Sequence, residues 1–553
     1  MTKIIISFYL VFQPTHPSQN ATYIVMQYFV FVKFQFTYPS HNVTNAPVIY
    51  PKYGHNNNME TIWKSKLKSF DSLNKSAEYD TAIIGGGIAG LWCAYKLTCA
   101  GKKVCIIEAN RIGSGVTSGS TAILTYAQDV IYSPIIKKHG FNVAAKFFKD
   151  SVDAIKDIVN IIEKENFDCN LEQIDFVLFS KSRCGKRALD KEYKAYQDLG
   201  CKVEILDEIN LPYKVKRGLK FGGSYQFDPL KLCGALAKYI ITNGGEIFEK
   251  TLVKEAPSEN KLKVDSFVVS AKDFIVTTHF PFINLPGFYW LKVYQEQNYC
   301  IAFSPQKEFN DFAKGISYES IDKTGFEYRH VGKNILCDGV SIRTGKKPYK
   351  SKYQILKKHI DKHFGKPKKI VRFMAQDCIT MDKLPYAGRY SHFDDNIFVI
   401  TGFNKWGFAN SYICANVVLN MILGKLDRNA PFKANIYSPQ RVTLFVNLIE
   451  TVTNVAEIAS SFTNNLLNLD AKKLKKIKPG QGAIIKYNGH RVCASRDDDG
   501  TLNLVSGICP HMGCNLKWNK DERSLDCPCH GSRFDCKGNL LNNPSVKNAE
   551  KIN

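Results

Sequence analysis

The sequence predicts an α/β body followed by a small all-β module, and three observations carry the prediction. From Tyr79 to Ile107 a strand, a glycine turn, a helix and a second strand follow one another, the alternation of a doubly wound sheet. That alternation continues to about Leu426. Beyond Pro479-Gly480 it gives way to short strands divided by Gly and Asn-Gly turns, an all-β texture. A length of 553 residues suits three or four domains at about 150 residues each. With 44% apolar and 23% charged residues the composition is globular, which excludes a disordered chain or a collagen-like fibre.

Ahead of the first strand, residues 1–58 stand apart. They hold twelve aromatics and no acid, the first carboxylate being Glu60. We read them as an N-terminal extension outside the folded unit, with Met59 as a plausible start; a targeting or membrane-associating segment is the competing reading. The longest apolar stretch, Tyr23 to Tyr38, is interrupted by Gln27, Lys33 and Gln35, so no transmembrane span is expected. A cytoplasmic location is expected. Basic residues exceed acidic ones by 24 (75 against 51), a balance compatible with nucleic acid, an anionic surface or acidic redox partners. The stretch Lys346–Lys369 carries ten lysines without any nucleic-acid recognition motif, so a solvated or partner-docking face is preferred and no nucleic acid is expected.

The first motif with chemistry follows the strand Tyr79–Ile84. Gly85, Gly87 and Gly90 satisfy G-x-G-x-x-G, where the first glycine makes the turn, the second admits a pyrophosphate and the third lets helix and strand pack closely. A helix is expected from Ile88 to about Ala100, then a strand from Lys103 to Ile107. Glu108 ends that strand eighteen residues after Gly90, placed to accept both hydroxyls of an unphosphorylated ribose. This favours FAD or NAD over NADP. Arg111 to Thr121 is a small, hydroxyl-rich loop containing Gly113, Ser114 and Thr117, suited to a flavin's ribityl chain and pyrophosphate, so FAD is preferred.

With that loop the chain resembles the FAD-dependent D-amino-acid oxidase and glycine oxidase superfamily, over roughly Glu78 to Leu426. Three further segments carry the resemblance. Phe227-Asp228-Pro229-Leu230 precedes a helix and then Thr251-Leu252-Val253, where the family's backbone contacts adenine. Phe274 to Thr278 matches the strand ending beside the cofactor, with Thr277 at its end. Asp382 to Gly388, Asn396 to Ile400 and then Gly402 to Gly407 match the C-terminal flavin motif, whose helix N-terminus faces the flavin pyrimidine. His279 might reach the flavin, but a structural loop histidine is the preferred reading; Asn404 and Trp406 divide evenly between shaping a pocket and plain packing. No catalytic residue is assigned.

The second motif lies near the C-terminus. Cys509-Pro510-His511 and Cys527-Pro528-Cys529-His530 are two Cys/His pairs that suit zinc as far as spacing goes. The fuller pattern, Cys509 to Cys514 followed by Cys527 to Asp535, resembles a Rieske 2Fe-2S domain at every ligand position. The resemblance implies that Cys509 and Cys527 hold one iron, that His511 and His530 hold the other, and that Cys514 and Cys529 form a disulfide. Phe534 stands where respiratory Rieske proteins carry a tyrosine donor, which implies a lower potential. His511 and His530 are expected nearest the domain surface, making their imidazole edge the exit for an electron. Cys536 reads as a packed thiol.

Together these predict a doubly wound, Rossmann-like FAD domain with a mixed-sheet substrate domain, then a small β-rich Rieske domain. The expected boundaries are 59–435 for the oxidoreductase, with the substrate domain inserted at about 132–222 and 286–371. A helical connector and basic linker at 436–477 follow, and the Rieske domain occupies 478–553. The function implied is oxidation of an amine or amino acid C–N bond, with electrons passing from FAD through the cluster to a one-electron acceptor, a protein or small carrier. A reductase fed from the Rieske end and a non-catalytic redox sensor are the alternatives.

Overall fold

The computed structural model describes residues 61–65, 67–323, 325–346, 350–441, 454–458, 461, 474 and 476–552. All of them belong to one compact unit, 49–553. The N-terminal extension and most of the connector lie outside the described residues; within the connector, 454–458 are helical.

Strands Ala77–Ile84 and Val104–Ile107 are apolar and almost wholly buried at their C-terminal ends, as parallel strands covered on both faces must be. They anchor a seven-stranded sheet. Ala77–Ile84 is parallel both to Val104–Ile107 and to Phe267–Val276, with Ile83 opposite Ile106 and Ile275. Ile397–Thr401 continues the sheet in parallel and Tyr386–Arg389 closes that edge antiparallel. Helix Ile88–Cys99 lies against the sheet and buries nine of its residues. Helix Pro229–Thr242 starts where Asp228 caps the amides of Leu230 and Lys231 (2.9 and 3.1 Å), with Pro229 in the first turn.

The second sheet has nine strands and draws on residues 123–226 and 293–380. Val293–Phe303 lies between Asn334–Arg343 and Ile370–Thr380, antiparallel to both. Glu172–Ser180 is antiparallel to Arg217–Gln226 and parallel to Ile316–Ser320, so the sheet is mixed. The C-terminal module is all-β. Gly482–Tyr487, His490–Arg496 and Leu502–Ser506 form one small sheet, and four three-residue strands between Lys517 and Asn542 form another. Among the described residues no helix is long and apolar enough to cross a membrane.

Candidate functional site

The predicted nucleotide residues converge at the C-terminal ends of the parallel strands, where ligands bind in open α/β sheets. The turn after Ile84 requires glycine. Gly85 has φ +112°, and a Cβ there would meet the carbonyl oxygen of Thr277 at 2.7 Å; at Gly90 it would meet the carbonyl oxygen of Gly85 at 2.0 Å. Thr277 fastens this turn, its hydroxyl donating to the carbonyls of Ile84 and Gly85 (3.0 and 2.9 Å). Gly87 occupies the helix cap and offers no side chain to the first-turn amides, although Thr117 Oγ1 accepts from Ile88 N–H at 3.3 Å.

Glu108 accepts one backbone amide on each oxygen, from Gly86 (2.6 Å) and Asn110 (2.8 Å). Burial raises its pKa, while those amides pull the other way. Each oxygen keeps a lone pair for a ribose hydroxyl. Gly113 donates to Gly86 O (2.9 Å) and packs against Cys233 and Leu230. The hydroxyl of Ser114 closes its own loop on Arg111 O (2.6 Å). Val253 is buried beyond the point where Thr251 N–H meets Glu108 O (2.9 Å). Gly402 (φ +75°) would strike Thr380 if it carried a Cβ, and Gly407 opens helix Gly407–Ile422. Asn404 holds the turn between them, accepting from Thr380 N–H (2.8 Å) and donating to Lys383 O (3.0 Å), while Trp406 packs edge-on against Phe176.

Sequence reasoning missed Glu249. Its buried carboxylate accepts from the amides of Ile112 (2.9 Å) and Phe70 (3.1 Å) and so fixes the hydroxyl-rich loop. Its position just after the parallel strand Glu246–Phe248, beside Glu108, was a usable signal.

In the C-terminal module two turns face each other. Cys509 N–H bonds to Cys514 O (2.8 Å) and Gly531 N–H to Cys527 O (3.0 Å), and the disulfide Cys514–Cys529 ties the turns together. The sulfurs of Cys514, Cys527 and Cys529 lie within 4.8 Å of one another, but two of them are bonded, so this trio is not a ligand set. The thiols of Cys509 and Cys527 share one hydrogen bond, which pulls the Cys509 pKa down and pushes that of Cys527 up. The rings of His511 and His530 stand 5.1 Å apart at 88°, and the Nδ1 atom of each is buried without a partner. Burial depresses both imidazoles, His511 to about 4, favouring the neutral, metal-binding form. Two cysteine sulfurs and two orphaned imidazole nitrogens are the donor set a Rieske cluster requires. Ser532, whose Oγ accepts from Ser545 N–H (2.9 Å), also bonds to Cys509; Phe534 is fully buried in the module's core, and Cys536 donates its thiol to Asp497 (3.4 Å).

The histidine edge corrects one expectation. Its His530 half is not an open exit, because the oxidoreductase half covers it: His530 is 1% exposed, while His511 keeps part of its surface accessible. Gln295 Nε2 donates to His530 O (2.6 Å), and Gln376 Nε2 donates to Gly531 O (2.8 Å) and Gln295 Oε1 (2.5 Å). Asn543 Nδ2 donates to the carbonyls of Thr278 and Phe280 (2.6 Å each), and His511 Nε2 bonds Asn284 Oδ1 (2.7 Å). The rings of Phe280 and Trp290 lie 6.2 and 6.1 Å from that of His530. His279, its pKa pushed down to about 4 by burial, stands beside Gln295 and Gln376. The docking loop 278–284 therefore begins one residue after Thr277.

Comparison with known proteins agrees with this geometry. Residues 80–421 match the family described as FAD dependent oxidoreductase, and 468–553 match the Rieske [2Fe-2S] domain. The Rieske 2Fe-2S iron-sulfur protein YhfW of Bacillus subtilis is 32% identical over 89% of this chain and 97% of its own length. Gamma-glutamylputrescine oxidoreductase of Escherichia coli is 22% identical over 66% of this chain and 88% of its own. The crystal structure of glycine oxidase from Geobacillus kaustophilus superposes with TM-score 0.55 at 17% identity, over 66% of this chain and all of that one.

Proposed function

We propose, from the premise that this chain belongs to the FAD-dependent oxidoreductase family and ends in a Rieske domain, that it oxidises the C–N bond of an amine or amino acid and passes the electrons to a one-electron acceptor. When bound, FAD would supply two-electron, hydride-accepting chemistry and the cluster one-electron chemistry; position and electrostatics are the protein's.

In this reading Gly85, Gly87 and Gly90 admit the pyrophosphate to the backbone, Glu108 takes the ribose, and Gly113, Ser114 and Thr117 lie along the ribityl chain. Val253 borders the adenine, and Thr277, Gly402 and Gly407 frame the ring system. Cys509, Cys527, His511 and His530 hold the cluster. The positive end of helix Gly407–Ile422 would offset negative charge on the pyrimidine of a bound flavin.

The observation that carries the reading is the docked histidine edge. Loop 278–284 leaves the cofactor strand and directly meets His511 and the loop at Asn543. This contact supports electron transfer directly between the two sites, without a diffusing partner. Anaerobic addition of amines and amino acids tests it. A substrate should bleach the flavin absorbance and then bring up the reduced-cluster paramagnetic signal. Bleaching with a silent cluster overturns the relay, and no bleaching by any amine overturns the oxidase chemistry.

A further inference from the structure

The nine-stranded sheet carries carboxylates where packing alone would not put them. Glu319 and Glu327 follow the pairs Ser317–Arg329 and Tyr318–Tyr328 in register, and Glu327 is the cross-strand partner of Asp338. Three acids therefore stand in one row across three adjacent strands. On the next pair Glu296 and Asp377 are partners as well. Like charges directly opposite destabilise a sheet, so such a row is retained at a cost in stability.

All of them look toward one cation. Lys405, on the Gly402–Gly407 turn of the flavin motif, lies 3.5 Å from Glu296 and 3.3 Å from Ser341, and its charge acts on Glu319, Glu327, Asp338 and Asp377. Asp129 reaches the same cluster from the loop before helix Tyr132–His139. Glu319 and Glu327 are half-buried and Lys405 is exposed, so packing does not seal the row off.

Two orphaned polar atoms on this face point independently to a ligand. Arg329, two residues from Glu327 on the same side of its strand, is 3% exposed. It gives Nε to Gln226 (2.8 Å) and Nη2 to Phe227 O (3.3 Å), but its buried Nη1 has no partner. Asn298 donates to Asp338 (3.3 Å) and leaves its Oδ1 without a donor. A buried donor and a buried acceptor left open beside unbalanced carboxylates call for a molecule with ammonium groups and an oxygen acceptor.

Resting on the amine-oxidising reading above, we infer that the substrate is an oligoamine. It carries at least two nitrogens that are cationic in water, one at the oxidised carbon and another held by Glu319, Glu327 and Asp338. A carboxylate oxygen on the same molecule suits Arg329, so basic amino acids fall within the class.

A substrate panel read by anaerobic flavin bleaching tests the inference: putrescine, spermidine, ornithine and lysine against glycine, proline, butylamine and N-acetylputrescine. The members with two cationic nitrogens should lead by tenfold or more in reduction rate over KM. Calorimetric titration with 1,4-diguanidinobutane, which stays dicationic at working pH, should show binding to the holoenzyme that weakens at least tenfold in Glu327→Gln. Unchanged or raised melting temperature in that variant distinguishes lost binding from lost folding, because burial and the neighbouring acids raise the Glu327 pKa and the amide stands in for a neutral carboxyl. Glycine, proline, butylamine or N-acetylputrescine as the best substrate, or equal binding of the dication to wild type and Glu327→Gln, overturns the inference while leaving amine oxidation intact. No bleaching by any member is failure of the amine-oxidising reading itself.

Discussion

Strands Val293–Phe303 and Ile370–Thr380 present amides on one face and carboxylates on the other. Gln295, Gln297 and Gln376, all at most 2% exposed, face the Rieske module, where Gln297 Nε2 donates to Asp526 (2.6 Å). Glu296 and Asp377, one residue along, face Lys405. Alternation of side chains along a strand makes this separation automatic. A permanent intramolecular contact needs donors and acceptors that neither titrate nor repel, and primary amides supply both. A site that takes in a charged molecule needs charge left unbalanced, and acids supply it. One strand thickness thus separates a contact built to stay shut from a face built to be filled.

The largest break in this comparison comes at the amide face. His530→Ala removes a donor of the proposed cluster but not the docking bonds, which use backbone carbonyls at 530 and 531. The Rieske paramagnetic signature should vanish and turnover with a one-electron acceptor should fall at least a hundredfold. FAD content and flavin bleaching by substrate should persist. Iron analysis, absorbance and stopped-flow kinetics check all three.

How much of this was legible beforehand depends on the kind of constraint. Gly85 and Gly90 were readable because backbone approach leaves no room for a Cβ, a demand that a single chain segment expresses by itself. Cys509, His511, Cys527 and His530 were readable because each pair sits on one short turn. Gln295, Gln376 and the Glu319–Glu327–Asp338 row were not. Their meaning depends on register between strands, which shifts between Tyr299 and Ile301 and between Ile174 and Phe176. The alternation Gln295-Glu296-Gln297-Asn298 announces two polar faces but not what either one meets. His530 was misjudged for a related reason: surface position within a module does not say whether another domain covers it.

A milder break separates docking from chemistry. In Gln295→Leu with Gln376→Leu, the carbonyls of His530 and Gly531 lose their donors. Each buried acceptor left open costs about 1–3 kcal/mol. The melting temperature should drop, and electron delivery to the cluster should slow by about tenfold while substrate bleaching of the flavin stays within twofold. Equal slowing of both steps would mean that the two faces are not independent.

The smallest effect sharpens the comparison through pH. Burial lifts the pKa of Asp338 to about 6, against the pull of Lys405, Asn298 and Arg329; it lifts that of Asp377 to about 6 as well, with Lys405 opposing and Glu296 adding to the rise. A carboxyl whose folded pKa lies above its unfolded value near 4 favours the fold while protonated. That contribution is complete below about pH 4 and is lost as pH rises through about 6. Ligand-free enzyme should therefore lose melting temperature over this window from the acidic face, whereas the glutamines opposite do not titrate. A dication reverses the sign, since it binds the ionised carboxylates. Binding of 1,4-diguanidinobutane should tighten several-fold from pH 5 to pH 7, and its stabilising increment in melting temperature should grow over the same range. Asp338→Asn should flatten both slopes without changing the Rieske signal. A slope that survives in Asp338→Asn and Asp377→Asn together would take the titration away from these two carboxyls and leave Glu319 and Glu327, whose pKa values burial also raises, as its source on that face.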